Sequence, residues 1–282
     1  MNGGVEEIVA RALAEDVGAG DVTTAATVPA GARARARIVQ KEAGVAYGLG
    51  LVEETMRQCG VEHVDKLMVE GQWRDGVPAE VALATGPARA ILVAERTALN
   101  FLGHLSGIAT LTARFVEAVA GTGARILDTR KTTPGLRTLE KAAVVAGGGV
   151  NHRLGLYDAI LIKENHIALA GGVAKAVYAV RRAEPELAVE IECRDLEEVA
   201  YALGVGAERL LLDNMDLETL CGAVKLRDEN ASGDKRPGLE ASGGVDLETV
   251  RPIAETGVDF ISIGALTHSA PSLDFSLLLE PA

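Results

Sequence analysis

The residues with the most chemical potential in this chain crowd one stretch. Between Arg125 and His166 there are seven Lys/Arg and four acids, whereas the whole 282-residue chain has a formal net charge of −12. The basic groups come in clusters. Asp128-Thr129-Arg130-Lys131 follows the apolar pair Ile126-Leu127, Asn151-His152-Arg153 follows closely on the glycine triplet 147–149, and Lys163 follows the apolar run Ala159–Ile162. A basic island in an acidic protein reads as a site for a small, highly anionic ligand. The planar fork of arginine suits carboxylates, and lysine supplies a point charge. Arg130/Lys131 and His152/Arg153, with Arg96 added, therefore point to a ligand bearing more than one carboxylate. Lys163 suits either a phosphate contact or a Schiff base, and both readings stay open at this level.

A second set of residues lies downstream. Glu192 and Asp213 each end an apolar run. A buried acid is costly without a partner, so sugar hydroxyls or a phosphate-bound Mg²⁺ are natural companions, although each acid could equally cap a neighbouring helix. Ser242-Gly243-Gly244 and Gly264-Ala265 each follow an apolar run, and Asp246 is placed to N-cap the helix after the first. Successive glycine turns late in a barrel commonly hold a phosphate through backbone N–H groups; their bland reading is two tight turns. His63 and His268 have no companions and read as structural. Cys193 has no adjacent base to make it a nucleophile.

These side chains need elements to carry them. Val5, Ile8, Val9 and Leu13 recur at helical spacing, predicting a helix over 5–15. Arg33, Arg35 and Arg37 share a parity within 32–39, which predicts a strand with one solvated basic face. Strand-like runs at 64–69 and 79–84 complete a small sheet with some helix. A long helical region over 88–119, interrupted by Gly103 and Gly107, places Arg96, Asn100 and His104 on one face. That face is either plain polar surface or the reach of Arg96 towards an anion. From residue 120 short apolar runs alternate with helix-like segments, ending near Asp128, Lys163, Glu192, Asp213, Ser242 and Gly264. This alternation predicts a parallel sheet, and functional residues at strand C-termini are the habit of barrels. The fold class is α/β: an N-terminal α/β sheet-and-helix domain plus an incomplete, six- to seven-stranded α/β barrel. The expected division is 1–108, joined by the tail 268–282, and 109–267. The polar stretch 227–237 is the expected mobile loop.

Composition excludes several classes. The acidic balance argues against nucleic-acid binding. No apolar run approaches the roughly 20 residues needed to span a bilayer. The N-terminal residues are acidic where a signal peptide would be basic. Cys59, Cys193 and Cys221 are scattered, form no CxxC pair and fit a reducing cytoplasm.

Several long motifs resemble one family. DTRKTTPGLR, GGGVNHRLGLYDAILIKENH, LLLDN, EASGG and IGALTHSA, with GDVTT, KEAGVAYGL, AERTALN and HLSGIAT, resemble quinolinate phosphoribosyltransferase across essentially the whole chain. The resemblance implies a Mg²⁺-dependent transfer from phosphoribosyl pyrophosphate to quinolinate, giving nicotinate mononucleotide, pyrophosphate and CO₂. It implies a homodimer in which the partner's N-terminal domain completes each site. Carried over, Arg130, His152 and Arg153 bind the quinolinate carboxylates with Thr129 beside them, and Arg96 arrives from the other subunit. Lys131 and Lys163 serve both anions. Glu192 and Asp213 hold ribose hydroxyls and the metal environment, with Lys131 making up the catalytic set. Ser242, Gly243, Gly244, Gly264 and Ala265 cradle phosphate. The chain departs from the pattern at Ala142 and Val145, where the family commonly has Tyr and Arg, and at Arg194, where it usually has an acid.

Three rivals remain. One is a same-fold enzyme with another substrate, against which the retained Thr129-Arg130-Lys131 and Asn151-His152-Arg153 speak. Another is a Schiff-base aldolase using Lys163. The third is a silent binding barrel, which would have no need to keep a full set of charged strand ends.

Overall fold

The structure is a computed structural model and describes residues 2–230 and 236–282. In chain order the elements are α1 (Asn2–Val17), α2 (Val22–Thr27), β1 (Arg33–Gln40), β2 (Gly44–Val45), α3 (Leu49–Gln58), β3 (His63–Lys66), β4 (Trp73–Arg74), β5 (Ala79–Pro87) and α4 (Ala88–Ala118). There follow β6 (Arg125–Leu127), α5 (Arg137–Ala146), β7 (Ile160–Ile162), α6 (Glu164–Ala170), α7 (Val173–Ala183), β8 (Val189–Cys193) and α8 (Leu196–Gly204). The chain ends with β9 (Arg209–Asp213), α9 (Leu217–Asn230), β10 (Gly238–Ser242), α10 (Val250–Glu255), β11 (Phe260–Ser262), α11 (Ala265–His268) and β12 (Phe275–Pro281).

These elements form two compact units. The first comprises Met1–Ala113, Thr133–Gly148 and Ser269–Ala282; the second comprises Arg114–Thr132 and Gly149–His268. The segment carrying α5 thus belongs to the first unit, whereas the sequence reading placed it with the barrel.

The first unit is built on an antiparallel sheet in the order β12-β1-β5-β3. Alternation in β1 does what period two demands. Ala34, Ala36 and Ile38 are fully buried, while the arginines between them face outward. Arg37 lies between Glu80 on β5 and Glu280 on β12, at 2.9 and 2.8 Å, so the basic face is an ion-paired surface. Ile91, Ala94, Ala98, Leu102 and Leu105 of α4 are buried at helical spacing. Gly103 and Gly107 do not interrupt α4, contrary to expectation. They are sites of close approach: a Cβ on Gly107 would lie 2.0 Å from the Pro271 carbonyl oxygen, and one on Gly103 would lie 3.0 Å from that of Leu273. Within this unit buried Glu140 accepts from the Thr133 N–H at 3.0 Å and pairs with His104 Nε2 at 2.9 Å. Its carboxyl is held below the usual range: burial works against this, but the contacts with His104 and Thr133 outweigh it.

The second unit is a six-stranded parallel sheet, in the order β6-β11-β10-β9-β8-β7. Followed around the sheet the strands come in chain order, with one seam between β6 and β7. Among the described residues no strand pairing closes that seam, although Val150 forms an isolated parallel bridge to Leu127 beside it. Strands covered on both faces read as continuous apolar runs, and Leu210-Leu211-Leu212 in β9 is buried throughout. The register aligns Ser242 with Asp213 and Ser262 with Leu127, so neighbouring C-terminal ends share one edge. α9 continues to Asn230, into the expected mobile loop; residues 231–235 of that loop lie outside the described residues.

Candidate active site

The C-terminal strand ends of the second unit surround a cavity of about 700 Å³. Thr129, Arg130, Lys131, His152, Arg153 and Lys163 line its basic side. Glu192 and Asp213 supply acids, and Ser242, Gly243, Gly244, Gly264 and Ala265 form the loop side. Thirteen sequence-predicted residues therefore meet in one place. Arg96 does not line this cavity; it lies exposed on α4 in the first unit.

The basic side is anchored from beneath. Buried Asp128, at the end of β6, accepts the His152 backbone N–H at 2.9 Å and so ties the 150–153 segment to that strand end. Arg153 donates to the Ala159 carbonyl at 3.2 Å. Burial, and next the nearby Arg130 charge, lower the Arg153 pKa. Like charges held together in this way are stabilised by an anion between them. Lys131 bridges towards the loops, since a Cβ on Gly264 would lie 2.9 Å from Lys131 Cδ. The Thr267 hydroxyl also donates to the Lys131 carbonyl at 2.8 Å.

The acids are partnered. Glu192 is ion-paired with Lys163, and Asp213 accepts from the Asn214 side-chain amide at 2.9 Å. Both present oxygen, the donor type that suits a hard divalent ion. On the loop side Gly243 and Gly244 have φ of +105° and +60°, conformations that favour glycine. The helix after them begins at Val250, later than expected. Asp246 instead organises the turn before it, accepting from the Glu248 and Thr249 N–H groups.

Around His152 the structure adds two acids not read from sequence, Glu190 and Glu240, the second of them lining the cavity. The ligating atoms of His152, Glu190 and Glu240 lie within 4.8 Å of one another. His152 Nε2 is 3.0 Å from Glu190 and 3.5 Å from Glu240, and the Arg153 backbone N–H donates to Nδ1 at 2.7 Å. Burial disfavours a charged ring, and the two acids favour one strongly enough to raise its pKa. The amide on Nδ1 pulls the other way. With contacts on both nitrogens, the geometry fits the neutral ring with its proton on Nε2. Burial, followed by the Glu190 charge, pushes the Glu240 carboxyl up to about 7. The signal for Glu190 was present in β8, where it shares the parity of Glu192. His268, read from sequence as lacking companions, also lines the cavity, with Nε2 3.2 Å from a Cβ built on Gly264. Arg194, one of the departures, pairs with Glu164 and Glu198, both at 2.7 Å.

A parallel α/β sheet with cationic, acidic and glycine-loop groups at its strand ends is the arrangement of α/β-barrel enzymes, and its charges suit an anionic ligand. Comparison with known proteins narrows this. The family model described as "Quinolinate phosphoribosyl transferase, C-terminal domain" matches residues 108–278, and its N-terminal counterpart matches 21–106. A carboxylating nicotinate-nucleotide pyrophosphorylase from Mycobacterium leprae is 45% identical over 276 residues, 96% of this chain and 95% of the relative. The chloroplastic enzyme of the same name from Arabidopsis thaliana is 43% identical, covering 98% of this chain and 83% of its own. The solved nicotinate-nucleotide pyrophosphorylase from Francisella tularensis superposes with a TM-score of 0.93 at 38% identity, covering 99% and 97% of the two chains. The chain belongs to the quinolinate phosphoribosyltransferase family.

Proposed function

We infer that the protein joins quinolinate to phosphoribosyl pyrophosphate with loss of CO₂, yielding nicotinate mononucleotide and pyrophosphate for NAD biosynthesis. The observation that carries this reading is the convergence of Arg130 and Arg153 on the same cavity as the Gly243 and Gly264 loops. A dicarboxylate and a phosphorylated sugar fit those two sides.

The chemistry follows from orientation and charge. The pyridine nitrogen attacks the anomeric carbon as the bond to pyrophosphate breaks through an oxocarbenium-like state. Lys131 and Lys163 neutralise the departing charge. The ring nitrogen is then cationic and stabilises the electron pair left at position two when CO₂ departs; a solvent proton replaces the carboxylate. No dedicated base is needed, because effective molarity and fixed dipoles supply most of the acceleration. Thr129, Arg130 and Arg153 orient quinolinate, and His152, with both ring nitrogens engaged, holds the segment that carries Arg153. Ser242, Gly243, Gly244, Gly264 and Ala265 receive the phosphate. Glu192 and Asp213 face the ribose hydroxyls and would hold Mg²⁺ through substrate or water. The ion would supply charge neutralisation on pyrophosphate.

The assembly reading is a homodimer in which Arg96 enters the partner's site. Its support is the exposure of Arg96 on α4 and its absence from the cavity of its own chain. Cytoplasmic residence is supported by the three free cysteines, Cys59, Cys193 and Cys221. No helix among the described residues is long and apolar enough to cross a membrane. Against the aldolase alternative stands the match of the chain to the quinolinate phosphoribosyltransferase family over both of its domains. Purified protein given quinolinate, phosphoribosyl pyrophosphate and Mg²⁺ is expected to form nicotinate mononucleotide. A protein that makes none from quinolinate but converts nicotinate would refute the assignment.

A further inference from the structure

The β9 strand ends at Asp213, and the next residue must turn the chain out of the sheet. Asn214 does so with φ of +54°, the one non-glycine residue among those described with a positive φ. Side chains rarely adopt this left-handed conformation, and asparagine is among the residues that tolerate it best. When such a conformation sits in a functional cavity, it invites a functional explanation.

Three contacts radiate from Asn214. Its backbone N–H donates to the Ser242 carbonyl at 2.8 Å, carrying the β9–β10 ladder one residue beyond the paired strands. Its Nδ2 donates to Asp213 Oδ2 at 2.9 Å. Its Oδ1 lies 2.1 Å, and its Cγ 2.6 Å, from the position a Cβ on Gly243 would occupy. The amide therefore fills the space beside Gly243 while holding one oxygen of Asp213. We propose that Asn214 is a positioning residue that fixes the Asp213 carboxylate and the Gly243 loop relative to each other, and so sets the spacing between the ribose and phosphate parts of the phosphoribosyl pyrophosphate site.

The residue type fits this role. Glycine would keep the left-handed backbone but lose the amide. Aspartate would keep the shape but place an acceptor against Asp213, where a donor is needed. Asparagine alone among these three combines the backbone, the donor and the steric wedge. Committing Oδ2 to the amide also limits rotation of the Asp213 carboxylate, so that its other oxygen is presented in a fixed direction.

The inference rests on reading Asp213 as a ligand of the ribose hydroxyls, and the test separates the two. Wild type, Asp213→Asn, Asn214→Gly and Asn214→Asp are compared in steady-state kinetics with each substrate varied, after circular dichroism has confirmed folding. Asn214→Gly is expected to raise KM for phosphoribosyl pyrophosphate roughly tenfold, the effect of losing one hydrogen bond to a charged group. Asn214→Asp is expected to raise it further. KM for quinolinate should stay within about twofold of wild type in both, because the basic side is untouched. If Asp213→Asn raises KM for phosphoribosyl pyrophosphate and neither Asn214 variant does, Asn214 has no positioning role. If the Asn214 variants raise both KM values together, the residue is merely structural. If Asp213→Asn itself leaves KM unchanged, the reading of Asp213 fails and this proposal fails with it.

Discussion

Glu240 is a buried acid at the candidate site. It is fully buried on β10, beside Glu190, His152 and Arg209, with Ser262 on the neighbouring strand. Burial, then the Glu190 charge, push its carboxyl from 4.5 up to about 7. The native state therefore retains a proton that the unfolded chain has already released between those values. The sign follows from linkage: stability is highest below about pH 4.5 as far as this group is concerned, and its contribution declines as pH rises through about 7. Glu240→Gln mimics the protonated acid, so the variant should lose part of the wild-type fall in stability between pH 5 and pH 8. Urea midpoints at the two pH values check this; parallel falls in both proteins would contradict it. Glu190 and Glu240 were hard to find from sequence because they sit inside short apolar strands, where hydrophobicity dominates the pattern. Only the parity of Glu190 with Glu192 marked an inward-facing acid.

At the level of elements, α4 shows how a local rule yields to packing. Glycine lowers helix propensity, so Gly103 and Gly107 look like breaks. In the fold they let the 271–273 backbone approach the helix. Gly107→Ala should therefore destabilise the protein by roughly 2–3 kcal/mol or more through overpacking, although it raises helix propensity. An increase in the thermal midpoint would contradict this account. Most strands were legible because period-two alternation in β1 and apolar runs in β6 to β11 are strong signals. Helix starts were less so: Asp246 carries a capping signal, but caps a turn four residues ahead of α10. The placement of α5 with the first unit was also hidden. Its ties run through buried Glu140 to His104, and sequence spacing does not reveal a contact 36 residues away.

For the whole molecule, the basic stretch 125–166 becomes two kinds of structure. Its ends supply the basic side of the cavity, while its middle, 133–148, joins the first unit. The candidate residues read from sequence line one cavity because parallel strands bring their C-terminal ends to one edge. Sequence could not say which subunit supplies each residue. If Arg96 serves the partner's site, Arg96→Ala and Arg153→Ala should each be nearly inactive alone. After subunit exchange, a mixture should recover up to about a quarter of wild-type activity, since one of the two sites in each heterodimer is intact. Activity staying at background after verified exchange would contradict shared sites.

The central claim is that one cavity performs both ribosyl transfer and decarboxylation. The most direct measurement supplies quinolinate labelled in its 2-carboxylate, with phosphoribosyl pyrophosphate and Mg²⁺, and counts labelled CO₂ against nicotinate mononucleotide. Equimolar release, dependent on phosphoribosyl pyrophosphate, is the predicted result. Nucleotide formed without labelled CO₂, or no nucleotide from quinolinate at all, would contradict it.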